Sequence, residues 1–320
     1  MRSLEVEQRP LNRDEWAPKH GGLPQTDTEG NRLHPKQRTA SNPTMGKKAA
    51  EKMRAASDED IQLMISEDTI VTVNGKPVVV YLRMSEDLEG VRAAFQRIRY
   101  VEDYRTAGLK TNSRTIGFLP RNTLRRDFCT TSSSAGEHPV EHATAIEAAR
   151  IAAAYYQRWN PEQYAWHMEQ ARKIRPEWHL LETPFTSGII NDNNPLKYHF
   201  DSGNIKRAWS AMMGFKRSTE GGHLSTPELV TPDGKAIGFE ICDKSLLLFD
   251  GQGTLHGVTP IRKTRTDAHR FTVVFYSLQQ MWNCVSPADE LARIRRLRTE
   301  REQKRAKGGH NPKAPTGRAP

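Results

Sequence analysis

Near residue 183 the chain changes its period, and that change limits the fold more than any single motif does. From there to about residue 280, runs of strand length follow one another: "TPFTSGIIN", "KYHF", "RAWSAMMGFK", "GGHLSTPELV", "AIGFEI", "SLLLFDG", "LHGVTPI" and "HRFTVVFYSL". Turn signals such as "TPDG" (231–234) separate them, and no helical stretch intervenes. About eight short strands in series predict a sandwich, a jelly roll or a barrel.

The sequence ahead of this region has a different character. Residues 1–60 are rich in Pro, Gly, Asn, Thr and charge without apolar periodicity; they read as mostly disordered, with a short helix near "KKAAEKMRAAS". In "DTIVTVNGKPVVVYLRM" (68–84), two β-branched runs flank Asn74-Gly75, a hairpin signal. "SEDLEGVRAAFQRIRYVEDY" follows as an amphipathic helix with Ser85 as its N-cap. "RTIGFLPRNTLRRDFC" (114–129) reads as a strand and a basic loop, and 139–172 as a long helical stretch broken at Asn160-Pro161. After the strands, Ser286 and Pro287 open a basic helix that fades into a Pro/Gly tail. The expected divisions are a disordered segment over 1–60, a main domain over 61–285 and a basic helix and tail over 286–320. Within the main domain, the strands occupy about 183–285 and a helical and hairpin flank 61–182.

Charge follows the same divisions. Of the net +10, the balance is +1 over 1–60, +3 over 61–285 and +6 over 286–320, so the body is nearly neutral and the tail basic. That tail, and the cluster Arg114, Arg121, Arg125 and Arg126, are candidates for phosphate contacts; a solvated basic surface explains them nearly as well. No apolar run is long enough to span a membrane, and the N-terminus lacks the apolar core of a secretory signal. Cys129, Cys242 and Cys284 match no metal or redox spacing. They are expected as buried, reduced thiols in a soluble, intracellular and not secreted protein.

The candidate chemistry begins at "KYHFDSGN" (197–204). His199 and Asp201 sit two apart on a predicted strand, where alternate side chains share a face. Two histidines and one carboxylate on one face of an octahedron hold Fe(II) in non-haem oxygenases, leaving three positions open. His256, on a distant strand, is the natural third ligand. With 11 histidines and 38 acids, about one His-x-acid arises by chance. A second one, His167 and Glu169, falls on a helix, where residues two apart point about 200° away from each other. His138 and His142 have zinc-like spacing without a second pair. Gly221-Gly222 reads as a close approach of strands, not a phosphate cradle, since no helix follows.

The residues around the triad carry a resemblance. "GGHLSTPEL…FEICDKSLLLFDGQGTLHGVTPI…HRFTVVFYSL" resembles the TET/JBP group of 2-oxoglutarate/Fe(II) dioxygenases, which oxidise the methyl of 5-methylpyrimidines in DNA. It covers roughly 183–280. The resemblance implies an α+β fold with a double-stranded β-helix (jelly-roll) core, flanked by N-terminal helices and a small hairpin. It implies His199, Asp201 and His256 as Fe(II) ligands, Arg270 and Thr272 as contacts to the far carboxylate of 2-oxoglutarate, and O2 as oxidant. Asn204 matches a base-contacting asparagine, and Tyr276 an aromatic lining the base pocket. Arg270, Thr272 and Tyr276 differ by even steps, so all three face one side of their strand. Where TET enzymes have a base-bonding histidine, this chain has Leu278, which leaves 5-methylcytosine or thymine as target; 5-methylcytosine is favoured. The cysteine-rich zinc segment of animal TET proteins is absent.

The expected function is therefore hydroxylation of a 5-methylpyrimidine in DNA by a monomer with no membrane partner. The alternatives are a prolyl-hydroxylase-like protein hydroxylase of the same fold and a catalytically silent nucleic-acid-binding protein.

Overall fold

The structure, a computed structural model, describes residues 1–17, 53–104, 110–121 and 127–308. Ahead of the central region lie β1 (Arg2–Glu5), β2 (Glu7–Gln8), β3 (Leu63–Ile65), β4 (Thr69–Val73), β5 (Lys76–Arg83), β6 (Val101–Tyr104), β7 (Lys110–Leu119) and β8 (Thr130–Thr131). The central run continues with β9 (Ser187–Asp192), β10 (Leu196–His199), β11 (Ser210–Arg217), β12 (Thr219–Gly221) and β13 (Leu224–Val230). It ends with β14 (Ala236–Phe239), β15 (Ser245–Phe249), β16 (His256–Val258), β17 (Ile261–Lys263) and β18 (His269–Tyr276).

A major sheet runs in the order β1-β4-β5-β15-β11-β18-β9-β7-β6, with β8 on β7. A minor sheet runs β10-β16-β13-β14-β3, with β2 on β13. From β9 onward the chain steps between them: β9 major, β10 minor, β11 major, β13 and β14 minor, β15 major, β16 minor, β18 major. That winding is a double-stranded β-helix, the jelly-roll member of the three predicted alternatives. The fold class is α+β.

Both faces of the major sheet are covered, so its central strands carry apolar runs, as in residues 246–249 of β15 and 211–215 of β11, in place of a regular polar alternation. β15 is buried along its whole length. Leu82, Ala211, Met213, Phe215, Leu246, Leu248, Phe271, Val273 and Phe275 face the helices. Tyr81, Met212, Leu247 and Phe249 point the other way, onto Leu224, Phe239 and Val258 of the minor sheet. The helix Pro139–Trp159 meets the sheet through Ala145, Ala148, Ala149, Ala152 and Ala153, which are spaced three and four apart and so share one stripe. Burying one large aliphatic of this layer contributes about 1.5–3 kcal/mol.

Local signals explain several element ends. Asn74 and Gly75 have φ of 51° and 70°, as a tight turn between twisted antiparallel strands requires, and β4 pairs with β5 around them. The long helix stops at Trp159 because Pro161 cannot continue it, and Asn160 Oδ1 accepts from Gln163 N at 3.3 Å to cap the helix Pro161–Ala171. Ser286 Oγ accepts from Asp289 N at 3.2 Å and opens the helix Pro287–Gly308.

Elsewhere the structure differs from the expectation. The helix assigned from Ser85 begins only at Glu89, with Leu88 at its N-cap, and ends at Arg97. Residues 101–104 pair with β7 instead, because an unpaired sheet edge offers them ladder hydrogen bonds. The N-terminal residues are not wholly irregular: β1 pairs with β4 of the major sheet and β2 with β13 of the minor sheet. The short helix expected near 47–57 falls largely outside the described residues, as does most of the loop bearing Arg125 and Arg126. Cys129 and Cys284 are not free thiols; their Cα atoms lie 5.8 Å apart and they form a disulfide, leaving Cys242 free. The expected compartment, argued from reduced cysteines, loses that support. Among the described residues no helix is long and apolar enough to cross a membrane.

Candidate metal centre and its cavity

His199 ends β10 and His256 begins β16, and the two residues stand opposite each other in the antiparallel register. Their ring centroids are 4.3 Å apart. Asp201 follows beyond the strand end, its backbone N–H donating to Gly251 O at 2.9 Å. The shared side of His199 and Asp201 is therefore made by a turn and not by strand pleating, as the sequence reading supposed. Asp201 reaches His199 Nε2 at 3.8 Å and His256 Nε2 at 3.9 Å, and one donor atom from each residue falls within 4.8 Å of the others.

The donors are oriented for a cation. His199 Nδ1 lies 2.8 Å from Lys197 O and His256 Nδ1 2.9 Å from Thr254 O. A carbonyl only accepts, so each Nδ1 carries the proton and each Nε2 keeps a lone pair turned toward Asp201. Burial, with the neighbouring His256 imidazole, lowers the His199 pKa to about 4, keeping it in the neutral, ligating form. A Cβ on Gly251 would sit 2.5 Å from Asp201 Oδ2, so only glycine leaves room for the carboxylate there. Two imidazoles and a carboxylate fit a non-haem Fe(II) site by donor type and by spacing.

These donors open onto a cavity of about 260 Å³ between the sheets, whose wall also carries Asn204, Thr272 and Tyr276. Leu224, Met212, Val274 and Leu278 supply apolar lining. Asn204 donates to Ser210 Oγ at 3.2 Å and forms a backbone bridge with Leu278. Arg270 lies beyond the lining, one step along β18 from Thr272, and is 1% exposed. It donates to Gly222 O at 2.6 Å, but its Nε has no partner and no carboxylate among the described residues pairs with it. Burial alone pulls its pKa down to about 9. A buried guanidinium without a counter-charge is costly, so the site suits an anionic ligand.

Of the seven residues named from sequence, the structure gathers six on one cavity and sets Arg270 just behind it. It also adds residues that the sequence did not signal. Asn191 Nδ2 donates to Thr272 Oγ1 at 3.4 Å, and Asn194 Nδ2 to Asn191 Oδ1 at 3.3 Å. Having accepted from Asn191, the Thr272 hydroxyl is left to donate its proton into the cavity. Gly221 marks the expected close approach of strands, since an added Cβ would run into Pro260 O, while Gly222, at φ 70°, marks one to a side chain: an added Cβ would lie 2.5 Å from Arg270 Nε. His138 and His142 bind no metal between them. Each Nε2 accepts a backbone N–H, from Arg99 at 3.2 Å and from Gly117 at 3.0 Å.

No protein-family model matches the chain, and no curated protein matches it. Among solved structures, NgTET1 in complex with 5mC DNA matches with a TM-score of 0.52 at 13% identity, over 80% of this chain and 97% of that one. An oxidoreductase of the 2OG-Fe(II) oxygenase family from Burkholderia pseudomallei matches with a TM-score of 0.39 at 13% identity, over 62% of this chain and 85% of that one. OsALKBH1 matches with a TM-score of 0.37 at 17% identity, over 63% and 97%. The likeness to NgTET1 shows a shared fold.

Proposed function

We propose that this protein is an Fe(II)- and 2-oxoglutarate-dependent dioxygenase that hydroxylates the 5-methyl group of 5-methylcytosine in DNA. The observation that carries the reading is one cavity holding both the His199–Asp201–His256 donors and the Asn204–Tyr276 pair. His199 Nε2, an Asp201 oxygen and His256 Nε2 would hold the iron. Iron and 2-oxoglutarate, when bound, would supply O2 activation, one oxygen atom entering the C–H bond and the other leaving in succinate as 2-oxoglutarate is oxidised with loss of CO2. The far carboxylate of 2-oxoglutarate would supply the counter-charge that the Arg270 guanidinium otherwise lacks, and Thr272 would donate to the same end.

The apolar lining excludes water from the reacting methyl. Tyr276 offers a ring for an extruded base to stack on, and the Asn204 amide reads its polar edge. Leu278 contributes shape alone, which leaves the polar reading of the base to Asn204. That a protein of this fold is known in complex with 5mC DNA supports the choice of target. The exposed Arg295, Arg296 and Arg298 on the C-terminal helix suit the DNA backbone. A peptide hydroxylase would have no use for the Asn204–Tyr276 pair.

The test is incubation with Fe(II), ascorbate, 2-oxoglutarate and duplexes carrying either 5-methylcytosine or only thymine, followed by nucleoside mass spectrometry. The expected product is 5-hydroxymethylcytosine, absent with Asp201→Ala. Hydroxymethyluracil from the thymine duplex alone would move the target to thymine. Unchanged nucleosides in both duplexes, with 2-oxoglutarate consumed in the presence of peptides, would overturn the DNA assignment.

A further inference from the structure

The residues beside the metal donors pack against the N-terminal segment. Along β10 and the turn after it, His199 faces the cavity, while Tyr198 and Phe200, the latter also on the cavity wall, share an apolar cluster with Leu11, Trp16, Ala17, Ala56 and Leu255. Leu255 directly precedes His256. Trp16 meets Tyr198 edge-on, with centroids 4.8 Å apart, and the Arg54 guanidinium lies over the Trp16 ring at 3.8 Å. The strap that begins with β1 on one sheet and β2 on the other thus ends as the back wall of the donor triad.

One ion pair clasps the strap to the run ahead of His256. Glu228 of β13 is 2% exposed and takes two hydrogen bonds from Arg13, at 2.5 Å from Nε and 2.8 Å from Nη2. The same Nη2 donates to Gly253 O at 3.0 Å, and Glu228 Oε2 accepts from Leu255 N at 3.2 Å. The Arg13 guanidinium also sits 4.7 Å from the centre of the Phe200 ring, between two donors in sequence. Arg13 therefore touches both segments that carry donors, one through Phe200 and the other through Gly253. Fork geometry matters here, because a single ammonium cannot serve both carboxylate oxygens and a carbonyl in one plane.

We infer that Arg13, acting through Glu228, is a positioning residue of the metal centre, holding the His256 segment at chelating distance from His199 and Asp201. The inference rests on the metal reading above. Its test is calorimetric titration of the full chain with Co(II), with the visible Co(II) spectrum and the melting temperature of the metal-free protein recorded alongside. Arg13→Ala is expected to weaken Co(II) binding about 10- to 100-fold, the usual effect of losing a group that orients a ligand, and to alter the spectrum. Arg13→Lys recovers part of the affinity. Glu228→Gln keeps the acceptor for Leu255 N–H and loses several-fold, and serves if Arg13→Ala does not fold. A lowered melting temperature with unchanged Co(II) affinity and spectrum would reduce Arg13 to a structural clasp and sink the inference. Wild-type protein that binds no Co(II) would instead overturn the metal reading itself.

Discussion

The two walls of the cavity are built on opposite principles. On the major-sheet side, Arg270, Thr272 and Tyr276, the strand's last residue, all belong to β18, which is laddered to β11 on one side and β9 on the other. Their direction is set by backbone pairing. On the minor-sheet wall, His199 ends one strand, His256 begins another and Asp201 lies in a turn. Their convergence draws on more than strand pairing: the carbonyls of Lys197 and Thr254 that orient the rings, the bare Cα of Gly251, and the clasp through Arg13. A strand fixes direction cheaply but spaces its residues evenly, whereas a compact chelate needs donors drawn together at one point. Hence the metal end relies on turns.

This contrast predicts separable losses. The largest effect belongs to His256→Ala, which abolishes Co(II) binding and turnover. Arg270→Met should weaken 2-oxoglutarate binding about 100-fold, the worth of a charge-assisted pair near 3 kcal/mol, while Co(II) affinity stays unchanged. The ligand-free melting temperature should hold or rise, because the variant removes a buried, uncompensated charge. Parallel loss of metal affinity in Arg270→Met would break the division between the walls.

Tyr276→Ala should lower kcat/KM on DNA about 10- to 100-fold through lost stacking, with both Co(II) and 2-oxoglutarate affinity intact. A variant that turns over DNA as well as wild type would remove the base-pocket role.

The smallest effect concerns the backing of the major-sheet wall. His167 is fully buried against Ser277, between Tyr276 and Leu278, at 2.8 Å. Ser277 Oγ donates to Pro184 O, so His167 Nε2 supplies the proton between them and Nδ1 is left without a partner. Burial lowers the imidazole pKa from 6.5 to about 3, so the unfolded chain takes up the proton first as pH falls. The stability from keeping this ring neutral is complete at pH 7 and declines below about 6.5, by about 2 kcal/mol at pH 5. Urea unfolding at pH 7 and pH 5 checks this, and His167→Gln should flatten the difference. Equal losses in both proteins would show that the ring does not control it.

How much was legible follows from the range of each signal. The hairpin at Asn74-Gly75, the break at Asn160-Pro161 and the start of the basic helix depend on a few neighbouring residues, and each appears where it was read. The period change at 183 identified a strand-built core, because burial between two layers imposes apolar runs of strand length on the sequence itself. The seven candidate residues were named from motif spacing along three short stretches, and the structure brings six of them onto one cavity; their roles belong to the proposed function. By contrast, "VEDY" read as helix and became an edge strand. Cys129 and Cys284 meet across 155 residues.

The sequence by itself determined the types of residue at the cavity and the even spacing that turns Arg270, Thr272 and Tyr276 to one side. Only the tertiary structure decided that a polar, Pro-rich N-terminus becomes the wall behind the metal donors. Arg13 finds Glu228 across 215 residues. Such a contact leaves no periodic trace, since an exposed arginine and a clasping arginine look alike until folding brings the carboxylate and the carbonyl to it.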